Sequence, residues 1–298
     1  MFNSFSPISR GQSFRMSRFG SAGIVLRARG NEPLPEAVIR ERVPSVYAED
    51  KHESRSEKYT FIPTALLLQQ MGNEGFFPME IRQGGSRDEH KRNFTKHLIR
   101  FRRSGVVPVL NETFPEIVLV NSHDGTSSYQ LMPGWFRLIC SNGLIVSESC
   151  GESIKVSHRG NCDDIIEASY RVVNEFPEQA RLIEDMRGTH LDRDEQLLLA
   201  ETAIPFRFPV EEGASPVVTP EQVLRPQRRE DVDNSLWTTF NRVQENLTQG
   251  GILTTRTDQY GRRNHRRSRE VNGIGDNVAL NRALWEMTEK FHALKKGN

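Results

Sequence analysis

The chain has 298 residues, of which 36% are hydrophobic and 27% charged, with 40 Lys and Arg against 39 Asp and Glu. A chain of this length can bury a substantial core as one large domain or two ordinary ones, and its composition is not that of a disordered protein. Its formal net charge of +1 excludes an acidic imitator of DNA and leaves any nucleic-acid surface as a local basic patch.

Cysteine usage and hydropathy place further limits on the class of protein. The three cysteines are too few and too irregularly spaced for a disulfide scaffold. Cys140, Cys150, His158 and Cys162 match no zinc-knuckle spacing, so we expect no metal and no cofactor. The sequence has no run of about 18 apolar residues and no apolar signal region near its start, and we therefore expect a cytoplasmic protein without membrane contact.

The chain is expected to comprise three segments. Residues 1–50 are predicted to be a basic, flexible N-terminal arm, because residues 1–30 contain five arginines and no acidic residue among many Ser, Gly and Phe residues. Residues 51–210 are predicted to form an α+β core domain. Residues 211–298 are predicted to supply a proline-rich linker, a basic loop and helices that pack on the core.

The first half of the core reads as a short strand, a helix and then further short strands. "YTFIP" is a predicted strand, Pro63 and Thr64 begin a predicted helix, and "FTKHLIRFRR" at residues 94–103 is a predicted strand. Five further runs, "EIVLVN", "SYQL", "GWFRLIC", "GLIVS" and "SIKVS", are separated by turn-forming residues. Strands this short and this closely spaced predict an antiparallel β-meander.

Two polar turns interrupt this meander. The Asp124-Gly125 pair is typical of a tight hairpin, because a primed turn requires positive φ at its central residues, and "SNG" at residues 141–143 repeats the pattern. Turn chemistry alone also accounts for Asn121 and Asn142. The alternative is a polar site at these turns, made of Asn121, His123, Asp124 and Asn142.

Helical periodicity dominates the second half of the chain. "NCDDIIEASYRVVNEF" and "LDRDEQLLLAETAI" are predicted helices, and four prolines between Phe206 and Arg229 indicate a linker or an extended arm on the core. Two more helices follow: "NSLWTTFNRVQENL" ends at Gly250, and "DNVALNRALWEMTEKFHALKK" begins at Asp276. The expected fold is therefore α+β, with an antiparallel β-meander sheet, flanking helices and a C-terminal helical pair.

Basic residues concentrate in two segments of the globular part. "RTDQYGRRNHRRSRE" contains six arginines with Tyr260 and His265 interleaved, which suits phosphate contact and base stacking; the alternative is a solvated loop. The strand at residues 94–103 places arginines beside Phe94 and Phe101, either as a stacking platform or as an exposed basic face over buried aromatics. The predicted nucleic-acid-binding residues are Arg100, Arg102, Tyr260, Arg262, Arg263, Arg266, Arg267 and Arg269.

Candidates for nucleophilic catalysis lie near the polar turns. The sequence contains no nucleophile elbow, no phosphate-binding loop and no H-E-x-x-H motif. The candidate nucleophiles are Ser122, Ser127, Ser128, Cys140 and Ser141, with His123 or His158 as base and Asp124 as the orienting carboxylate.

Several long blocks between about His52 and Leu294 resemble a known family. "KYTFIPT", "HLIRFRR", "PEIVLVNSHDGTSSYQLMPGWFRLICSNGLIV", "LWTTFNRVQENL" and "LNRALWEMTEKF" are similar to the phage/plasmid-like protein family, the domain-of-unknown-function 932 family. The resemblance implies a place in the accessory gene sets of phages, prophages and plasmids, and it implies no reaction, cofactor or catalytic residue. The meander followed by a long helix is also similar, by fold analogy, to the β-β-β-α core of single-strand annealing recombinases.

Three hypotheses follow from these observations. The first is a non-enzymatic DNA-binding accessory protein of a mobile element, acting in recombination, replication or transfer, with single-stranded DNA as the favoured partner and a homo-oligomer as a further expectation. The second is an interaction protein that counters a host defence or regulatory protein through exposed turns at His123 and Asn142. The third is an enzyme centred on His123, Asp124 and Cys140.

Overall fold

The computed structural model describes residues 14–19, 23–53, 61–108, 113–137, 142–145, 154–156, 162–209, 217–257, 260 and 262–297. The strands are β1 (Phe14–Phe19), β2 (Gly23–Ala28), β3 (Phe76–Gln83), β4 (His97–Arg103), β5 (Thr113–Asn121), β6 (Tyr129–Arg137), β7 (Asn142–Ile145), β8 (Ile154–Val156), β9 (Leu253–Thr257) and β10 (Arg263–Arg267). The α-helices are α1 (Glu36–Arg42), α2 (Thr64–Asn73), α3 (Cys162–Gly188), α4 (Arg193–Arg207), α5 (Pro220–Val223), α6 (Leu236–Gln249) and α7 (Ile274–Gly297).

The larger sheet follows the order of the chain. Strands β1 to β7 are neighbours in sequence order and β8 pairs with β6, while β9 and β10 form a separate two-stranded sheet. The pairs β1–β2, β2–β3, β3–β4 and β6–β7 are antiparallel. Together with the helices, this order confirms the predicted α+β fold built on an antiparallel meander.

The chain divides into two compact units. Unit 1 comprises Met1–Gly105, Leu119–Tyr129 and Val156–Asp163, and unit 2 comprises Val106–Val118, Gln130–Lys155 and Asp164–Asn298. The limits of these units do not coincide with the boundaries expected at residues 50 and 210. Both units are discontinuous in sequence, so composition shifts along the chain could not reveal them.

Part of the predicted N-terminal arm belongs to the fold of unit 1. β2 pairs with β3, and Leu26 is fully buried. Ile39 of α1 and Val46 are also buried, so the prediction of a flexible arm is wrong from residue 23 to residue 47. Basic composition was misleading here because Arg27 forms an ion pair of 2.8 Å with Glu80 on β3. Residues 1–13 lie outside the described residues.

Unit 1 also contains the first predicted helix. α2 begins after Pro63 and buries Leu67 and Met71, which lie four residues apart and therefore share one helix face. Phe61–Pro63 contains no strand residue, so "YTFIP" is not a strand over the part that is described.

Unit 2 is built on a helical core. Trp237 and Phe240 of α6 pack against Trp285 of α7, with ring centroids 6.5 and 5.8 Å apart, which confirms the C-terminal helical pair. α4 begins with a capping box between Asp192 and Glu195, whose side chains each accept a backbone N–H of the other residue. The proline-rich segment contributes buried side chains to this core at Val218, Val223 and Leu224.

The polar turns differ from the tight hairpins that were predicted. Gly125 has a φ of +75°, as the Asp-Gly pair predicts, but seven residues, 122–128, separate β5 from β6. Asn142 pairs with Arg137 as the first residue of β7 rather than as a turn residue. Residues 138–141 lie outside the described part of the chain. Within that part, no helix is both long and apolar enough to cross a membrane.

Candidate functional site

The basic segment near the C-terminus folds as a two-stranded hairpin rather than as an irregular loop. We call β9 and β10, with the flanking Tyr260, Arg262 and Arg269, the basic ribbon. In its antiparallel register, Arg263 lies opposite Thr257, His265 opposite Thr255, and Arg267 opposite Leu253. β-Branched threonines on β9 are common in strands, and they lie opposite His265 and the arginines of β10 in this register.

The ribbon presents its basic side chains to solvent. Every residue of β10 is exposed, and Tyr260 is 72% exposed with the Arg262 guanidinium 5.5 Å from the centre of its ring. Within the described part of the chain, no ion pair involves Arg263, Arg266, Arg267 or Arg269. The structure therefore brings most of the predicted arginines of this segment together on one exposed element of unit 2.

Backbone hydrogen bonds fix the base of the ribbon. Gly251 N donates to Ser268 O, and Ser268 N donates to Ile252 O, at 2.8 Å each. Gly250 has a φ of +78°, and a Cβ atom there would lie 2.6 Å from the carbonyl carbon of Arg269. Only glycine allows this close crossing of the two chain segments.

The outer edge of β9 is attached to the proline-rich segment. Thr255 N donates to Val217 O at 2.9 Å, and Gln222 Nε2 donates to Leu253 O at 3.0 Å. A further cation lies near the base, where Arg207 Nη2 donates to the carbonyl oxygen of Arg269 at 2.9 Å. The ribbon is thus held at its base and along one edge, and its basic strand forms the other edge.

The other two predicted nucleic-acid contacts are buried in unit 1. Arg100 is 3% exposed and Arg102 is 6% exposed. Arg102 Nη1 donates to Asn31 Oδ1 at 2.9 Å, and Arg100 lies opposite Glu80 in the register of β3 and β4. Their prediction as contact residues is therefore wrong: these guanidiniums lie in the fold, where no nucleic acid can reach them. Phe101 is buried, as the alternative interpretation of this strand expected, but Phe94 is half-buried and Arg100 and Arg102 do not form the exposed basic face that it also expected.

Glu80 is the carboxylate around which the arginines of unit 1 gather. Its Oε1 accepts from Arg82 Nε at 2.5 Å and its Oε2 accepts from Arg27 Nε at 2.8 Å. Burial alone would raise the pKa of Glu80, but the Arg27, Arg82 and Arg100 guanidiniums lower it well below its usual range. Glu80 is therefore ionised at neutral pH and balances buried positive charge.

The polar residues of the first turn are mostly buried as well. Asn121 and His123 are fully buried, whereas Asp124 is half-buried. His123 therefore cannot belong to an exposed contact surface, and that part of the second hypothesis is wrong. The structure does not describe the side chain of Asn142, so the place of this residue in a polar site stays a prediction.

A buried polar cluster in unit 1 centres on Thr64. Its Oγ1 lies 3.0 Å from His123 Nε2, 3.2 Å from His97 Nε2 and 3.4 Å from Asn121 Nδ2. A hydroxyl carries one hydrogen, so at least one of the two imidazole Nε2 atoms must carry a proton and donate. Burial lowers the pKa of His97 to about 4, against the raising effects of the Thr95 carbonyl and the Asp124 carboxylate. Burial has the largest effect and therefore favours the neutral form of the His97 imidazole.

Sequence reasoning did not identify Thr64 or His97 as members of this cluster. Thr64 is 33 residues from His97 and 59 residues from His123 in sequence. Contacts over such separations leave no local pattern, and both residues fit the ordinary periodicity of their helix and strand.

The candidate catalytic residues that the structure describes mainly form hydrogen bonds within their own loop, residues 122–128. Asp124 Oδ1 accepts from the backbone N and the Oγ1 of Thr126, at 3.0 and 2.6 Å. Ser122 Oγ accepts from Ser127 N at 2.8 Å, and Ser127 Oγ donates to Ser128 O. Cys140, Ser141 and His158 lie outside the described residues, so the catalytic hypothesis stays untested there.

No metal site is formed by the part of the chain that is described. Among those residues, no group of three or more His, Cys, Asp or Glu side chains is arranged to hold a metal ion. Cys162 lies at the start of α3, and burial followed by the nearby Asp163 carboxylate raises the pKa of its thiol. Cys140, Cys150 and His158, whose spacing with Cys162 was compared with that of zinc knuckles, lie outside the described ranges.

Comparison with known proteins places the chain in a family and finds relatives of similar length. Residues 51–285 match the family described as "Domain of unknown function (DUF932)". The chain is 45% identical over 274 residues to both the UPF0380 protein YfjQ and the UPF0380 protein YafZ of Escherichia coli (strain K12). Each alignment covers 92% of this chain and 96% of the relative. No solved structure gives a significant match.

Proposed function

Because this chain belongs to the DUF932 family, whose description assigns no activity, we propose its function from its own surface: it binds DNA through the basic ribbon. The observation that carries the proposal is the exposure of every residue of β10, three of them arginines, on a hairpin held at its base. The arginines concerned are Arg262, Arg263, Arg266, Arg267 and Arg269.

The charge pattern supports a polyanionic partner. The whole chain has a net charge of only +1, so the ribbon is a local concentration of positive charge rather than part of a general excess. Each guanidinium that reaches a phosphate releases condensed counterions, and this release gives affinity without sequence information. Arginine also suits phosphate because its fixed fork of donors matches the phosphate oxygens.

The cellular setting of this activity belongs to the same proposal. We place DNA binding in the recombination, replication or transfer of a phage or plasmid, in keeping with the family resemblance in the sequence. The interaction-protein hypothesis loses support because His123 is buried. The enzymatic hypothesis loses support because Asp124 and Ser122 hold their own loop.

Fluorescence anisotropy on the intact chain tests the proposal. Labelled single-stranded and duplex oligonucleotides are titrated across a salt series, with the protein and with a variant in which Arg262, Arg263, Arg266 and Arg267 are changed to alanine. We expect binding in the micromolar range or tighter, with a log–log salt slope that falls by about 3 to 4 in the variant, because up to four phosphate contacts are lost.

A charge-matched control separates the ribbon from general electrostatics. Arg171, Arg181, Arg187 and Arg193 are exposed on α3 and α4 of the same unit, and their change to alanine removes the same net charge. This control is expected to keep most of the affinity. Absence of binding at low salt, or equal losses in the two variants, would contradict a DNA-binding role for the ribbon.

A further inference from the structure

We infer that the basic ribbon enters the major groove of duplex DNA with Asn264 and Arg266 toward the base edges, so that binding depends on sequence. This inference rests on the proposed function and names the substrate class and the reading residues of the same site. It departs from the expectation of single-stranded DNA that composition favoured.

The register of the ribbon separates its side chains into two faces. Successive residues of a strand point to opposite sides, so Arg263, His265 and Arg267 share one face of β10. Asn264 and Arg266 share the other face. Both faces are exposed.

Hydrogen bonds hold the first face within the ribbon. His265 Nδ1 lies 3.0 Å from Thr255 Oγ1 on the neighbouring strand, and Arg267 Nη1 donates to Gly251 O at 2.9 Å. On the second face, the carbonyl of Arg266 accepts from Thr254 Oγ1, which fixes the backbone there. The side chains of Asn264 and Arg266 make no hydrogen bond to any residue that the structure describes, so both residues of this face are available to a ligand, whereas on the first face two of the three residues are engaged within the ribbon.

The dimensions of the ribbon fit a duplex. The major groove of B-DNA, about 12 Å wide, admits a two-stranded β-ribbon, whereas the major groove of A-form RNA is too narrow for side chains to read. Non-specific binding of single strands relies on several aromatic rings that stack on successive bases. This ribbon offers Tyr260, and the Arg262 guanidinium already lies over that ring. The ribbon is therefore better suited to a groove than to a stack of bases.

The two reading residues have complementary preferences. Arginine donates two hydrogen bonds to the O6 and N7 of guanine, and asparagine pairs in the same two-pronged way with the N6 and N7 of adenine. Residues i and i+2 of a strand are about 6.8 Å apart, which equals two base-pair steps of about 3.4 Å. Asn264 and Arg266 would therefore contact an A·T pair and a G·C pair two steps apart.

Selection from a randomised duplex library, with the intact chain as bait, tests the inference. We expect enriched sites that contain an A·T pair and a G·C pair two steps apart. Affinities for the enriched site and its single base-pair variants are then measured by anisotropy. R266A should lose about tenfold discrimination at the G·C pair and N264A a similar factor at the A·T pair.

R263A is the matched control, because Arg263 lies on the opposite face of the same strand. It should weaken binding to all sequences equally and reduce the salt slope by about 1. Equal urea midpoints for all three variants would show that each one folds.

The outcomes distinguish this inference from the proposed function. Ribbon-dependent duplex binding without any sequence preference, tighter binding of single strands than of duplex, or N264A and R266A variants that behave like R263A would overturn the groove-reading inference and leave DNA binding in place. Absence of DNA binding by the intact chain would overturn both.

Discussion

Two strands of this protein are rich in arginine and place it in opposite surroundings. β4, with the sequence HLIRFRR, lies between β3 and β5, and its Arg100 and Arg102 are buried. β10, with the sequence RNHRR, is half of a two-stranded sheet and is exposed throughout. The number of neighbouring strands, and the presence of a carboxylate such as Glu80, decide whether arginine serves the fold or is available to a ligand.

The test with the largest expected effect on stability removes the carboxylate of Glu80, which the buried arginines face. Glu80→Gln should lower the free energy of unfolding by about 3–5 kcal/mol, because the buried guanidiniums of Arg27, Arg82 and Arg100 would lose the negative charge that they face. Urea denaturation monitored by circular dichroism measures the change.

Glu36→Gln is the control for that experiment. Glu36 pairs with Arg40 on the exposed surface of α1, where an ion pair contributes between about 0 and 1 kcal/mol. Equal effects of the two substitutions would show that the buried arginines Arg27, Arg82 and Arg100 do not depend on Glu80.

A second test uses pH and the buried His97. Its pKa is about 4 in the folded protein and about 6.5 in the unfolded chain, so the unfolded chain binds more protons between these values. The free energy of unfolding should therefore fall as the pH drops from 6.5 toward 4, by about 3 kcal/mol in total from this group.

His97→Gln isolates that contribution. The variant keeps a hydrogen-bonding side chain but does not titrate, so its stability should depend less on pH in this window than that of the unmodified chain. Parallel pH profiles for the two proteins would contradict a lowered pKa at His97.

A smaller effect is expected within the ribbon itself. Thr255→Val removes the hydroxyl that lies 3.0 Å from His265 Nδ1 and keeps the shape of the side chain. Because this contact is exposed, the free energy of unfolding should fall by no more than about 1 kcal/mol. A loss as large as that of Glu80→Gln would mean that the ribbon supports the core.

The smallest effect on stability should come from the exposed arginines. The double substitution of Arg263 and Arg266 by serine should change the free energy of unfolding by less than about 0.5 kcal/mol. The same variant should bind DNA more weakly with a lower salt slope, which anisotropy measures. A stability loss without a change in DNA affinity would reverse the roles assigned to the two strands.

Local patterns predicted the elements of the fold better than their surroundings. The period of the apolar residues located α2, α6 and α7, because one helix face must be buried whatever lies opposite. Burial of Arg100 could not be predicted, because Arg100 faces the carboxylate of Glu80 on a neighbouring strand, twenty residues earlier in the sequence.

The site shows the same division between local and distant information. Arginine-rich composition located the ribbon, and Gly250 was identified as the end of a helix. The hairpin register was not predicted, since Asp258 and Gly261 indicate a turn beside Tyr260 without specifying which residues of the two strands pair. The Thr64 cluster could not be predicted either, since its members come from a helix, two strands and a loop that are distant in sequence.

The close crossing at Gly250 has a consequence for how this segment can change. The chain leaves α6 and returns from the ribbon at nearly the same point, where a single hydrogen atom in place of a side chain lets the two backbones meet. The segment between these two points begins and ends at the same place. We therefore expect that its tip can gain, lose or exchange residues without moving α6 or α7. Changes of length at this tip are therefore expected to leave the packing of α6 against α7 unchanged.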